Sequence, residues 1–213
     1  MPTTSSPRVA VVDYGAGNLR SVAKALERSA LAVEVTADAA ALRHFDAIVL
    51  PGVGAFADAM ASLRAKGLGD AVQGAIANGK PYLGLCLGLQ VLFESSDEHG
   101  LTPGLGVLRG RVERFPVKHP LHVPHIGWNQ VRWRGEHPVA KPLPREDAYY
   151  YVHSYRVLGA DPADVAGVTD FGGEFTCAVA RGNVFAVQFH PEKSQAAGKR
   201  LLDAYAAWVA QCR

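Results

Sequence analysis

Cysteine is scarce in this chain, with three residues, Cys86, Cys177 and Cys212, in 213. They are too few for a disulfide framework and show no metal-ligand spacing, so a small disulfide-stapled scaffold and a structural zinc site are both excluded. No run of about eighteen apolar residues occurs, and a membrane-spanning helix needs one. An excess of charge is missing too: 22 Lys and Arg face 20 Asp and Glu, a net +2. That balance carries no electrostatic footprint for nucleic acid or for an anionic membrane. The segment Met1-Pro2-Thr3-Thr4-Ser5-Ser6-Pro7 has neither a basic nor an apolar stretch, so no secretory leader is read in it. Residues 1–7 are expected to be a loose tail before one domain spanning 8–213, in a protein of the reducing cytoplasm. What is present is ordinary for a globular core, with 48% hydrophobic and 20% charged residues.

The apolar residues come in short runs separated by turn signals. Residues 8–13 form one that ends at Tyr14-Gly15-Ala16-Gly17, after which Asn18 is expected to cap a helix reaching to about Ala30. No dinucleotide fingerprint is completed there, because Arg20 stands where the third glycine belongs. Residues 32–36 and 45–50 read as further strands, so the sheet grows from βαβ units and is parallel. Helical patterns follow to Lys66 and from Asp70 to Asn78. Later alternating segments at 105–115, 130–133, 148–157, 165–170, 175–181 and 184–189 predict hairpins and an antiparallel portion. Leu201, Leu202, Tyr205, Trp208 and Val209 recur at helical spacing and predict a closing amphipathic helix over 194–211. The expected class is α/β: a mostly parallel central sheet with helices on both faces and an antiparallel portion.

Chemistry concentrates on residues 80–93, read as a buried strand followed by a helix. Between the two lies Gly84-Leu85-Cys86-Leu87-Gly88, the Gly-x-nucleophile-x-Gly spacing of a sharp strand-to-helix turn. Glycines flank the nucleophile because such a turn brings backbone segments too close for a Cβ. A helix N-terminus at Cys86 favours a thiolate, and the Leu87 N–H becomes an oxyanion donor. Pro51-Gly52-Val53-Gly54-Ala55-Phe56, at the carboxyl end of a neighbouring strand, supplies a second wall that can aim Val53 or Gly54 peptide N–H groups at an anion. A cysteine nucleophile needs a base and the base an orienter. Phe189-His190-Pro191-Glu192 offers both, since residues two apart in an extended segment share a side and Glu192 then reaches His190. His153 is the rival base. His119, His122 and His125 sit among prolines that forbid a helix, and they read as an exposed loop more readily than as a metal site.

Together with Gly127-Trp128-Asn129 and Tyr149-Tyr150-Tyr151-Val152-His153-Ser154-Tyr155, and with Lys193-Ser194 after the His-Pro-Glu run, these segments closely resemble the triad-type (class I) glutamine amidotransferases. The resemblance implies a flavodoxin-like sheet, a catalytic triad of Cys86, His190 and Glu192, and an oxyanion hole from Leu87, Val53 and Gly54. It places Gly52 and Gln90 on the substrate, L-glutamine, and implies no metal or organic cofactor. The Gly-Trp-Asn and Tyr-rich motifs are similar to the branch of the family that passes ammonia to a (β/α)8 cyclase subunit of a heterodimer in histidine biosynthesis. That branch puts Asn18, Trp128, Tyr150 and Lys193 near the partner. A sister branch feeding pyridoxal phosphate, anthranilate or guanylate synthesis, or a non-catalytic flavodoxin-like binding module, is the alternative.

Overall fold

A computed structural model describes residues 6–116 and 122–213. The first half alternates strand and helix: β1 (Arg8–Val12), α1 (Leu19–Glu27), β2 (Ala32–Thr36), β3 (Ala47–Gly52), α2 (Phe56–Ala65), α3 (Leu68–Ala77), β4 (Tyr82–Cys86) and the single turn α4 (Leu87–Gln90). The short strands β5 (Ser95–Ser96), β6 (Thr102–Pro103) and β7 (Arg111–Arg114) follow. Then come β8 (His125–Trp133), β9 (Glu146–His153), β10 (Tyr155–Leu158), β11 (Val165–Asp170), β12 (Glu174–Arg181), β13 (Val184–Val187) and the long α5 (Gln195–Gln211).

The sheet runs β2-β1-β3-β4-β13 with every one of these pairs parallel. It continues antiparallel through β12, β10 and β7, while β11 ties β12 to the β8–β9 ribbon. Strand alternation explains the two-sided core. Val9, Val11, Leu83 and Leu85 join the face packed by Leu26 of α1 and Leu201, Tyr205 and Val209 of α5. Their neighbours Ala10, Val12, Ile48 and Leu50 join the face packed by Phe56, Met60 and Leu63 of α2 and Val72 of α3. Burial on both faces is why these strands read as continuous apolar runs, each buried Val, Leu or Ile contributing roughly 1.5–3 kcal/mol. No helix among the described residues is long and apolar enough to cross a membrane.

The register sets the site. Gly52 at the end of β3 pairs with Cys86 at the end of β4, and Leu85 pairs with Val187, so three strand ends deliver their loops to one edge. Several expectations change in detail. The segment 148–157 divides at Ser154 into β9 and β10, because the chain there leaves one ribbon for another. The strand expected at 130–133 begins earlier, at His125, and that expected at 105–115 is confined to Arg111–Arg114. Asn18 occupies the N-cap position of α1 but makes no side-chain cap, with its backbone at φ 71°.

Candidate active site

Cys86 stands at φ 53°, ψ −106°, a conformation that side chains rarely adopt. Such strain costs roughly 1–3 kcal/mol and persists only where the surroundings impose it. Here they do. A Cβ at Gly88 would lie 1.8 Å from the Leu50 carbonyl oxygen, and one at Gly84 would lie 2.5 Å from that of Gly88. The Tyr82 hydroxyl donates to the Gly88 carbonyl at 2.7 Å and pins the turn from below. The flanking glycines therefore do the mechanical work expected of them. The helix does less than expected: it ends at Gln90 rather than running to Phe93, because Leu92 and Phe93 turn back with 3₁₀-type bonds to Leu89 and Gln90. One turn has little macrodipole, so charge at Cys86 depends on side chains.

His190 is the principal one. Its Nδ1 lies 2.9 Å from Glu192 Oε1, and both side chains are almost wholly buried, at 3% and 1% exposure. Glu192 reaches it around a 3₁₀ turn, Pro191–Lys193, and not along an extended segment, because Lys193 N–H folds back to the His190 carbonyl. The backbone of His190 is clamped as well. Its N–H donates to the Tyr150 carbonyl, while Ser194 Oγ donates to its carbonyl and accepts from the Tyr150 N–H. Burial alone would lower the His190 pKa, but the interaction with Cys86 and then that with Glu192 outweigh it and raise the value to about 10. Nε2 is buried and makes no hydrogen bond with good geometry, which leaves it available to a reacting group beside Cys86. Asn18, expected at a partner surface, turns its side chain inward and donates to Glu192 Oε1 at 2.8 Å.

Cys86 and His190 open onto a cleft of about 420 Å³, lined also by Val53, Gly54, Leu87, Gln90 and Glu98. Its far wall is the β9–β10 junction, Val152 to Tyr155. Gly54 has φ +99° with open space around it, whereas Gly52 is glycine for lack of room: a Cβ there would meet Tyr14 Oη at 2.5 Å and Leu87 Cβ at 2.6 Å. Gln90 faces the cleft, but its side-chain N–H groups are already spent on the Tyr155 carbonyl at 3.3 Å and Gln188 Oε1 at 3.0 Å. His153, the rival base, donates from Nδ1 to the Tyr155 carbonyl and contacts His125 through Nε2. Burial pushes its pKa down to about 3, so it stays neutral, and although it lines the cleft wall both of its ring nitrogens are already engaged. His125 is buried between the rings of Tyr151 and Phe171, His122 is exposed, and His119 lies outside the described residues. The described histidines therefore do not share one side, and no group of metal-ligating residues occurs among the described residues.

Outside the cleft, Trp128 and Tyr150 meet edge to face at 6.2 Å on the outer face of the β8–β9 ribbon. Ile126 and Val152 form the next exposed pair along it, and Lys193 is exposed nearby in sequence to the triad candidates. Three contacts escaped the sequence reading: Asn18 on Glu192, Glu98 in the cleft, and Gln188 on Cys86. Only Gln188 left a signal, its spacing of two from His190.

Residues 10–205 match the family described as Glutamine amidotransferase class-I. The imidazole glycerol phosphate synthase subunit HisH of Methylococcus capsulatus is 51% identical over 209 residues, covering 94% of this chain and 96% of that protein. HisH of a Synechococcus strain is 49% identical over 208 residues, covering 96% and 94%. Among solved structures, PurLQS from Thermotoga maritima superposes with a TM-score of 0.77 at 21% identity, over 95% of this chain and 99% of that one. A structure described as a glutamine amidotransferase gives 0.74 at 21% identity, over 95% and 98%. The chain belongs to the class-I glutamine amidotransferase family.

Proposed function

We infer that this chain is the glutaminase subunit of an imidazole glycerol phosphate synthase, hydrolysing L-glutamine and handing the ammonia to a (β/α)8 cyclase in histidine biosynthesis. The observation that carries the chemistry is the meeting of Cys86 and His190 at one cleft, with Glu192 buried behind the imidazole and bonded to its Nδ1. The Cys86 thiolate attacks the side-chain amide carbon, and the oxygen takes the charge facing the Leu87 N–H and the Val53–Gly54 peptide. His190, protonated through neutral pH, gives its Nε2 proton to the departing nitrogen, so ammonia leaves and a thioester remains. Acylation removes the charge on sulfur and with it the strongest influence raising His190. The imidazole then accepts a proton from water as the hydroxyl adds to the thioester. Collapse breaks the C–S bond, releases glutamate and restores the thiolate–imidazolium pair. Glu98, the acidic side chain of the cleft, already accepts from the Phe56 N–H at 2.7 Å. It supplies the counter-charge for the substrate's α-ammonium group, with Gly52 and Gln90 lining the approach.

Ammonia released alone is wasted, and the surface beside the cleft supports a partner. Val53, Ile126, Trp128 and Val152 are exposed apolar residues, and Val53 and Val152 also form the cleft rim. An apolar patch continuous with an active-site mouth fits a docked protein that receives the product. Tyr150 and Lys193 join this surface, and Asn18 connects it to Glu192. The test is reconstitution with the cyclase. Cys86→Ala is expected to abolish glutamine-dependent synthesis while synthesis from ammonium salt persists. Wild-type glutamate release by that variant would remove Cys86 from the mechanism, and productive coupling only to a different synthase would move the chain to a sister branch.

A further inference from the structure

We propose that Gln188 is a further catalytic residue, whose side-chain N–H donates to the Cys86 sulfur and steadies negative charge there when the thiolate attacks and again when it is expelled. Gln188 is fully buried just beyond β13, with Nε2 3.6 Å from Cys86 Sγ. That distance holds either an N–H···S bond or an oxygen facing sulfur, depending on which way the amide lies. The surrounding bonds decide it. The Tyr155 carbonyl can only accept, so Gln90 must present its nitrogen there, and that same nitrogen reaches Gln188 Oε1 at 3.0 Å. With its oxygen engaged by a donor, Gln188 turns its own nitrogen to Cys86.

A second chain ends on the same carbonyl. Asn129 Nδ2 donates to the Asp170 carbonyl at 2.8 Å and lies 3.1 Å from His125 Nε2, which is thereby an acceptor. His125 Nδ1–H then donates to His153 Nε2 at 2.9 Å, and His153 Nδ1–H to the Tyr155 carbonyl at 2.7 Å. Every donor in the series finds an acceptor in one sense only. Tyr155 is thus anchored from the Gly-Trp-Asn strand, and the orientation of Gln188 follows from it. The bond matters most in thioester hydrolysis, where the electron pair of the breaking C–S bond returns to sulfur.

The inference rests on the glutaminase reading, and the test separates the two. The other groups around Cys86 are common to all variants: His190 with Glu192 behind it, the Tyr14 hydroxyl, and Glu98, His153 and Tyr155 on the cleft walls. Cys86 alkylation by iodoacetamide is followed from pH 4 to 10 on the full chain, alone and with the cyclase, in wild type, Gln188→Glu and Gln188→Met. Gln188→Glu keeps the shape but sets a carboxylate against the sulfur. Its labelling midpoint is expected to rise by about one pH unit, and kcat to fall more than KM rises. A less populated thiolate is also more nucleophilic, with a Brønsted slope of about 0.4–0.5, so labelling below the midpoint slows only about three-fold. Gln188→Met, which needs no buried charge to fold, is expected to shift the midpoint the same way by less. An unmoved midpoint in the folded variants, with or without lost turnover, would assign Gln188 to packing and overturn the proposal. Failure of the glutaminase reading shows elsewhere, as absent glutamate release by the wild-type complex.

Discussion

Replacing Glu192 by Gln removes one charge from the site and changes nothing else in outline, and the structure says how much that costs. Glu192 Oε1 accepts from His190 Nδ1 at 2.9 Å and from Asn18 Nδ2 at 2.8 Å. An amide in its place can meet these two donors only with its oxygen inward, since the other orientation sets –NH₂ against the Asn18 –NH₂. Asn18 therefore preserves the imidazole tautomer with Nδ1–H, and the ~10⁴-fold penalty known when a triad loses that tautomer is avoided. What remains is the loss of one of the two charges in a bond that the imidazolium still donates, a fall from the upper to the lower end of the about 1.5–3 kcal/mol that charge-assisted hydrogen bonds are worth. The difference of roughly 1–1.5 kcal/mol corresponds to about a ten-fold fall in kcat, with KM little changed. Adding Asn18→Ala removes the selector, lets the amide flip, and is expected to lower kcat a further ten-fold or more. Glutamate release by the reconstituted complex measures both. A ~10⁴-fold loss from Glu192→Gln alone, or no further loss when Asn18 is removed, would refute the reasoning.

Three other outcomes are expected. Gly54→Ala places a Cβ in open space at φ +99°, so its cost of roughly 1–3 kcal/mol is conformational and falls on the peptide proposed as oxyanion donor. Glutaminase activity of the reconstituted complex should drop up to ~10²–10³-fold in a variant that still folds, and full activity would move the donor elsewhere. Lys193 is exposed and makes no ion pair among the described residues, so Lys193→Glu should weaken binding of the cyclase roughly ten-fold or more while leaving the fold intact, as titration calorimetry would show. Burial lowers His125 from 6.5 to about 4. An unfolded chain then binds a proton that the native His125 refuses, so stability is full above about pH 6.5 and falls with acidification, reaching about 3 kcal/mol for this group. Urea unfolding from pH 7 to 5 should show that slope, and His125→Phe should reduce it by about one proton.

Much of the fold was legible because its parallel strands are buried on both faces. The runs at 8–13, 45–50 and 80–86 are mostly apolar without alternation, and each ends within two residues of a glycine or proline in the loop beyond it. The later strands were harder. Residues 148–157 carry one continuous Tyr-rich pattern, yet the chain changes ribbon at Ser154, and nothing local distinguishes a strand that continues from one that hands over to a different neighbour. Pairing is a tertiary property. The same limit explains α4: Val91, Leu92 and Phe93 extend a helical pattern, but the core they enter takes them as a turn.

In the site, legibility followed sequence distance. The glycines around Cys86 and the carboxylate two residues from His190 could be matched to a need because each partner lies within a few positions. The contacts that orient them span the chain: Asn18 to Glu192 across 174 residues, Gln188 to Cys86 across 102. Asn18 shows how this misleads. Asparagine after a glycine turn and before an amphipathic stretch is a good helix cap, and the position is right, but a backbone at φ 71° carries the side chain away from the helix N–H groups and toward a carboxylate delivered by another strand. A residue of this kind has two physically sound local readings, and the choice between them belongs to the register of β1 and β13 across the sheet. It follows that the orienting side chains, more than the reacting ones, tie this chemistry to this fold. Any loop at a parallel strand end can present a cysteine or a histidine, whereas Asn18, Gln90 and Gln188 work only where the ends of β1, β4 and β13 converge.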